Sequence, residues 1–427
     1  ECLPMFSILF GRRRLAFGLV ALLGGASAMT AYAVEPPLTF EAAVQRGLAH
    51  APQLDARASD LAATHEEAVR AGRLPDPALT FGVVSFPVTA PGAFSFRSDD
   101  MTMRTVGVMQ TIPSRAARTA ERGLANAQID AADANRVATM QTVQERVADA
   151  WIDVWAAERA HSLLVELRGE STLAVKTTQA RLRGGEGGAS DALAARAAAA
   201  LLDNRLEAVD ADLVATQASL QRWVGPTTGA LAEAPDFSRL PINAEHLERS
   251  IDQQAPMQAW VAREQVAQAA LDQARAAKHP DWSVSALYGQ RAPGLSDMVS
   301  LQLSVSLPLF TRNRQDRGIS AKQAQRDAVE SDHEDARRGQ QEAITRAAAT
   351  WQGWNRQIER FQKTLLPLAR DRAQTALASY RGGGVLQPWL DARRDEIELR
   401  MSYADALAAR GRLWAALAYL LPSEVTP

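Results

Sequence analysis

Cysteine is almost missing: Cys2 is the only one in 427 residues. It precedes an apolar leader, so the rest of the chain has neither a disulfide nor a thiolate metal site to offer. Aromatic residues contribute only 6%, a low share for a compact all-β protein. Beyond the leader no apolar run reaches the length of a spanning helix, about 18 residues or more. No charge sign dominates, with Lys and Arg at 47 against Asp and Glu at 49. That balance gives no basic field for nucleic acid. Proline is absent from Ser114 to Gly225 and again from Leu309 to Leu366. Nothing in either stretch breaks a helix through a missing N–H.

What is present begins with an export signal over residues 1–33. Arg12-Arg13-Arg14 is its positive region, Leu15–Leu23 its short apolar region, and Ala31-Tyr32-Ala33 its cleavage site, with Ala26-Ser27-Ala28 as the second choice. The rest of the chain is written twice. Ala51-Pro52, Pro75-Asp76, Ile112-Pro113 and Arg183-Gly184-Gly185 return as Ala255-Pro256, Pro280-Asp281, Leu307-Pro308 and Arg381-Gly382-Gly383. Each pair is roughly 200 residues apart, as in a duplicated unit with small insertions. The first repeat covers 34–225, a linker 226–255 and the second repeat 256–427. Pro226, Pro235, Pro241 and Pro256 exclude one long helix in the linker. A short helix fits around Ala244–Gln253.

Each repeat has two segments of period 2, over about 78–87 and 101–112, then 281–290 and 298–307. The clearest is the last: Val299, Leu301, Leu303, Val305 and Leu307 point one way, and Ser300, Gln302, Ser304 and Ser306 the other. Trp282, Val284, Ala286 and Tyr288 share a face, as do Leu79, Phe81 and Val83. The second segment is weaker, because Val106, Val108 and Ile112 share theirs with Arg104 and Gln110. Two readings fit: soluble hairpins half buried against helices, or strands about 9–11 residues long crossing a membrane around a wet interior. Four strands do not close a barrel, since the smallest single-chain barrels have about 8. Open edges in lipid leave backbone groups unpaired. The membrane reading therefore requires several chains to share one barrel.

Helices are expected over about 53–73, 114–183, 190–224, 256–278, 313–381 and 388–420. The second repeat carries a heptad seam: Ile344, Ala347, Trp351, Trp354, Ile358, Phe361, Leu365 and Leu368. The first carries Val143, Val147, Ala150, Val154 and Ala157, with Trp151 and Trp155 beside them as packing residues. Pro367 kinks or ends its helix locally. The helical hairpins turn at Gly184-Gly185-Glu186-Gly187-Gly188 and Gly382-Gly383-Gly384, each after basic residues that suit a helix C-terminus.

Chemistry is sparse. His65-Glu66-Glu67 and His333-Glu334 begin like a zinc helix, but neither has a histidine four residues on. The glycine tip has no preceding strand and no following Lys-Ser or Lys-Thr, so it is no phosphate loop. Met101, Met103 and Met109 share a parity on strand two. Thioethers suit soft metals such as Cu(I), but strand packing is the better explanation of them. No enzyme site and no cofactor site emerges.

With these landmarks assembled, the chain resembles the TolC-like outer-membrane efflux proteins over nearly all of its length after the signal. The resemblance rests on the duplication and on Ile112-Pro113 and Leu307-Pro308-Leu309-Phe310 after strands two and four. It rests also on the tips, Arg181-Leu182-Arg183-Gly184-Gly185 with Asp191-Ala192-Leu193, and Tyr380-Arg381-Gly382-Gly383-Gly384-Val385-Leu386 with Leu390-Asp391-Ala392. Leu307–Gln315 looks most like the heavy-metal branch of copper/silver and cobalt/zinc/cadmium exporters.

The resemblance implies a mainly α fold with a small β part. It implies a homotrimer whose four strands per chain make a shared twelve-strand barrel in outer-membrane lipid, and whose helices make a periplasmic α-barrel closed at its tip. It implies a periplasmic adaptor (membrane fusion protein) and an inner-membrane pump of the resistance-nodulation-division type as partners. Asp391 matches an acidic position at the pore constriction. Tyr380 and Asp191 match the two sides of a latch, with Arg381 nearby. Leu182, Arg183, Gly184, Gly185, Gly382, Gly383 and Gly384 fall where the tips meet the adaptor. Pro388 stands where relatives often have a second acid, and Val385 where some have an arginine. Asp191 also reads as a helix N-cap. The alternatives are a duct for drugs or for type I protein secretion, and, in another class, a soluble periplasmic coiled-coil scaffold or adaptor.

Overall fold

The structure, a computed structural model, describes residues 37–89, 91–226 and 230–420. The export signal and Cys2 lie outside the described residues. In chain order the elements are α1 (Phe40–His50), α2 (Pro52–Arg70), β1 (Ala78–Val84), β2 (Met103–Ile112), α3 (Arg115–Arg183), α4 (Ala189–Val224), α5 (Ala244–Arg249) and α6 (Ala255–Ala276). There follow β3 (Trp282–Gln290), β4 (Met298–Val305), α7 (Gln315–Arg360), α8 (Leu366–Arg381) and α9 (Gln387–Ala418).

One helix was not legible. α1 starts where the Thr39 hydroxyl accepts the N–H of Ala42 at 3.1 Å. It stops because Pro52 holds Ala51 in an extended conformation, φ −76° and ψ 109°, and then opens α2 from its first turn.

β1, β2, β3 and β4 form one antiparallel sheet in sequence order. The two repeats are joined in it by the β2–β3 pair. Register sorts the side chains into rows. Phe81, Val106, Tyr288 and Val299 lie side by side, as do Leu79, Val108, Ala286 and Leu301. The opposite face carries Thr80, Gly107, Leu287 and Ser300, then Ala78, Met109, Ser285 and Gln302. Every residue of β1 and β4 is exposed, and Leu301 stands at 80%. Hairpins half buried against helices are therefore not what forms. The apolar face is uncovered within the chain, and β1 and β4 are open edges.

The sheet leads directly into the helices. Ser114 caps α3, its hydroxyl accepting the Ala117 N–H at 3.1 Å. The Ser114 N–H donates to the Asp281 carboxylate at 2.7 Å. The Pro-Asp landmark of the second repeat thus fastens the start of α3, in the other repeat. With 69 residues, α3 is roughly 100 Å long at about 1.5 Å per residue. Along it Val143, Val147, Ala150, Val154 and Ala157 are buried, with Trp151 among them. Phe40 meets the Trp151 ring edge-on at 5.5 Å, and Phe237 of the linker meets Phe40 at the same distance. Such aromatic pairs contribute about 0.5–1.5 kcal/mol beyond area burial. The indole N–H of Trp151 donates to the Leu38 carbonyl at 3.1 Å. Leu38 bridges in parallel to Leu231. The linker and the start of α1 are thereby packed around the middle of α3.

The second seam is buried only in part. Ile344 and Ile358 are inside, while Leu368 is 61% exposed. Pro367 neither ends the helix nor leaves it unaltered. Phe361–Leu365 forms a single π turn, and α8 continues with Pro367 in its first turn. The wider turn makes room for a ring that would meet the carbonyl of residue i−4. The single helix expected over 313–381 is therefore two helices around a π turn.

One half-buried carboxyl conflicts with its surroundings. Burial first, then Glu145 and Asp153, push Asp149 up to about 7, against the pull of Arg412 and Arg146. Its Oδ1 has no hydrogen-bond partner among the described residues. A carboxyl held above its unfolded value of 3.8 contributes stability that is complete below that value and is lost as pH rises through about 7. Asp149→Asn is expected to raise the thermal midpoint at pH 8, by the equivalent of about 1 kcal/mol or more. The gain should shrink towards pH 4. Circular dichroism melts at a series of pH values check this; a gain independent of pH would contradict it.

Candidate functional site

The two hairpin tips come from sequence segments nearly half the chain apart. α3 ends at Gly184, and Gly185 takes φ +77°, a left-handed turn that glycine reaches freely. α8 ends in the same way, with Gly383 at φ +95°. α4 is capped by Gly188, so Asp191 is not the N-cap; it lies in the first turn, where a carboxylate meets the positive end of the helix.

Two cavities flank the segment of α9 that carries Trp389 and Arg393, and a third lies at the tips themselves. The tip cavity, of about 260 Å³, brings together Arg181, Glu186, Asp191, Tyr380 and Val385. The Tyr380 ring is parallel to Trp389 at 6.3 Å, and the Arg181 guanidinium sits over it at 5.1 Å. The Tyr380 hydroxyl is shielded and has no hydrogen-bond partner among the described residues. Tyr380 and Asp191 therefore share a cavity without touching through a hydrogen bond. Arg181, which sequence reasoning did not single out as a gate residue, is the arginine on Tyr380. Arg381 lies instead on the larger cavity of about 580 Å³ between α3 and α8–α9, with Glu166, Glu170, Arg370 and Arg400.

Asp391 lies elsewhere again. It lines a cavity of about 390 Å³ with Ala194, Ala198, Leu201 and Arg394. Its carboxylate accepts a hydrogen bond from Gln387 Nε2 at 2.9 Å, and Arg394 is 4.0 Å away. Within one chain, Asp391 is thus separate from the Tyr380–Asp191 group. Leu182 and Val385 are exposed at the tips, Val385 at 68%. Among the described residues no group of three or more His, Cys, Asp or Glu is placed to hold a metal ion. Met103 and Met109 occupy the face of Ser285 and Gln302, opposite the apolar rows. His333 pairs through Nδ1 with Glu264 at 2.6 Å and stacks on Trp260, which is a packing role.

The family model for outer membrane efflux proteins matches residues 43–226 and 247–422, one stretch for each repeat. The chain belongs to the outer membrane efflux protein family. Members of this family are channels, and this one is located in the outer membrane. No helix among the described residues is long and apolar enough to cross a membrane. Solved structures give the same fold at low identity. The outer membrane protein VceC from Vibrio cholerae matches with TM-score 0.73 and 16% identity, over 89% of this chain and 95% of that one. The Campylobacter jejuni CmeC outer membrane channel matches with TM-score 0.75 and 12% identity, over 90% and 86%. CusC, described with transmembrane channel formation, matches with TM-score 0.69 and 17% identity, over 90% and 92%. No curated protein sequence matches the chain.

Proposed function

We propose that the chain is one subunit of a homotrimeric duct through which a tripartite pump expels heavy-metal cations. The observation that carries the shared duct is the sheet, four strands with an apolar face uncovered and both edges open. Lipid can cover such a face, and only another strand can satisfy such an edge. Three copies joined β4 to β1 make a closed twelve-strand barrel. The exposed lower seam at Leu368, and Leu309 and Phe310 at 74% and 85%, suit contacts with neighbouring copies or lipid.

The duct supplies no energy. An inner-membrane pump of the resistance-nodulation-division type does, through a periplasmic adaptor that meets Leu182, Arg183, Gly184 and Gly185 on one tip and Gly382, Gly383 and Gly384 on the other. Adaptor contact selects the open packing of the tips. The latch is Tyr380 with Asp191 and Arg181, and what supports it is the shielded hydroxyl facing the shared cavity. Arg381 is outside that latch.

The cation cargo rests on the resemblance of Leu307–Gln315 and on Asp391. Three copies of Asp391 around one axis attract cations and repel anions. Asp391→Ala is expected to move the reversal potential in a potassium chloride gradient towards zero. An unchanged potential would remove Asp391 from the pore. For the cargo, a deletion strain is expected to become sensitive to copper, silver, zinc, cobalt or cadmium salts, and the plasmid-borne gene to restore growth. Sensitivity to drugs with none to metals would replace the metal reading by drug efflux.

A further inference from the structure

Glu396 is the most deeply buried charge of the molecule's tip region, at 1% exposure. It lies on α9, three residues after Arg393 and four before Arg400, so all three share one helix face. One carboxylate oxygen accepts from Arg393 at 2.6 Å and the other from Arg400 at 2.6 Å. Both arginines are thereby fixed in posture before they reach the other hairpin. There the fork of Arg393 makes two parallel hydrogen bonds to Glu170 of α3. Arg393 and Arg400 each lie 3.7 Å from Glu166, one turn earlier on α3. A bidentate guanidinium–carboxylate pair is among the strongest and most directional contacts available. Here its arginine is only 16% exposed, so salt screens it little.

The position of this network matters as much as its chemistry. Arg393 follows Asp391 by two residues, and it lines both the cavity of Asp391 and the larger cavity of Arg381, which Tyr380 also borders. Any movement of the second tip away from the first must carry α9 past α3 at this point. A buried carboxylate that only filled space would be a poor choice, because burying it is costly unless it is fully paired. We infer that Glu396 is a gate-positioning residue, which holds Arg393 and Arg400 so that they clamp α9 onto Glu170 and Glu166 of α3 and keep the tips closed. The clamp acts through Arg393 and touches no cargo. The inference rests on the duct reading given above.

The test uses the full chain, purified in detergent and reconstituted in planar bilayers. Glu396→Gln keeps the shape and removes the charge. Glu170→Gln removes the partner on α3 at a half-exposed site, where the neutral amide keeps the shape of the side chain. Each is expected to raise the open fraction about tenfold or more over the parent. The double variant is expected to open little more than either single one, because both act through the same arginine. A residue that merely supports the fold would change the thermal midpoint and leave opening alone, and its effect would add to that of Glu170→Gln. Should Glu396→Gln fail to assemble, Arg393→Lys provides the second variant: it keeps the charge, loses the fork and should open more than the parent. Variants whose open fraction is no higher than that of a conducting parent overturn the clamp alone. A parent that never conducts overturns the duct reading, and the clamp with it.

Discussion

A chain carrying Tyr380→Phe and Asp191→Ala together is expected to conduct in planar bilayers far more than the parent, without any adaptor. The tips pack in two ways, and the closed one is favoured by contacts between hairpins. Tyr380 is held from three sides, by Trp389 in parallel, by Arg181 over the ring, and by the wall that Asp191 completes. The double substitution keeps the stacking and removes the hydroxyl and the carboxylate that line the tip cavity. Within the chain the two make no hydrogen bond to each other; what is lost is the shape of that wall and the attraction of Asp191 for Arg181, the cation on the ring. Three chains opening together multiply the loss in the closed–open balance. Arg181→Ala is the internal comparison: it removes the cation from the ring and should open the duct as well. Conductance no higher than the parent's in the double variant would take the latch away from these residues.

The second large effect separates the two faces of the sheet. Leu301→Arg places a charge in the apolar row of Leu79, Val108 and Ala286. Near the middle of a bilayer such a change costs about 2–4 kcal/mol in each chain. Over three chains that is roughly 6–12 kcal/mol, comparable with the whole stability of an ordinary domain. Leu301→Arg is therefore expected to abolish assembled protein in the outer membrane. Ser300→Arg, one residue away on the opposite face, is expected to insert normally and to lower cation selectivity. Membrane fractions probed for heat-stable oligomer distinguish the two. Equal tolerance of both would mean that the rows face the same environment.

The contrast between these neighbours explains why the strands were legible. Val299–Val305 alternates cleanly because each side chain answers to one of two media and to no helix. β2 was harder, since Arg104 and Gln110 share the parity of Val106 and Val108 near the two ends of the strand. The long helices were legible from missing proline and from the Val143–Ala157 seam, which is buried as a unit. The π turn was not, because proline spacing shows where a helix is stressed and not how the stress is absorbed. α1 is short, and its one local signal in the sequence is the capping hydroxyl of Thr39. Contacts between hairpins were the least legible. Arg381 adjoins Tyr380 in sequence, yet the guanidinium on the ring belongs to Arg181, on the other tip. The Arg393–Glu396–Arg400 face could have been found from its helical spacing, with Glu166 and Glu170 one turn apart as its counterpart. Their meeting is a property of the packed tips, which no spacing within one helix records.

Native mass spectrometry of the full chain in detergent tests the shared barrel most directly. A single species of three chains, dissociating only when detergent is removed or the sheet is unfolded, is the expected result. A stable, conducting species of one chain would mean that four strands suffice, and would contradict the account at its base.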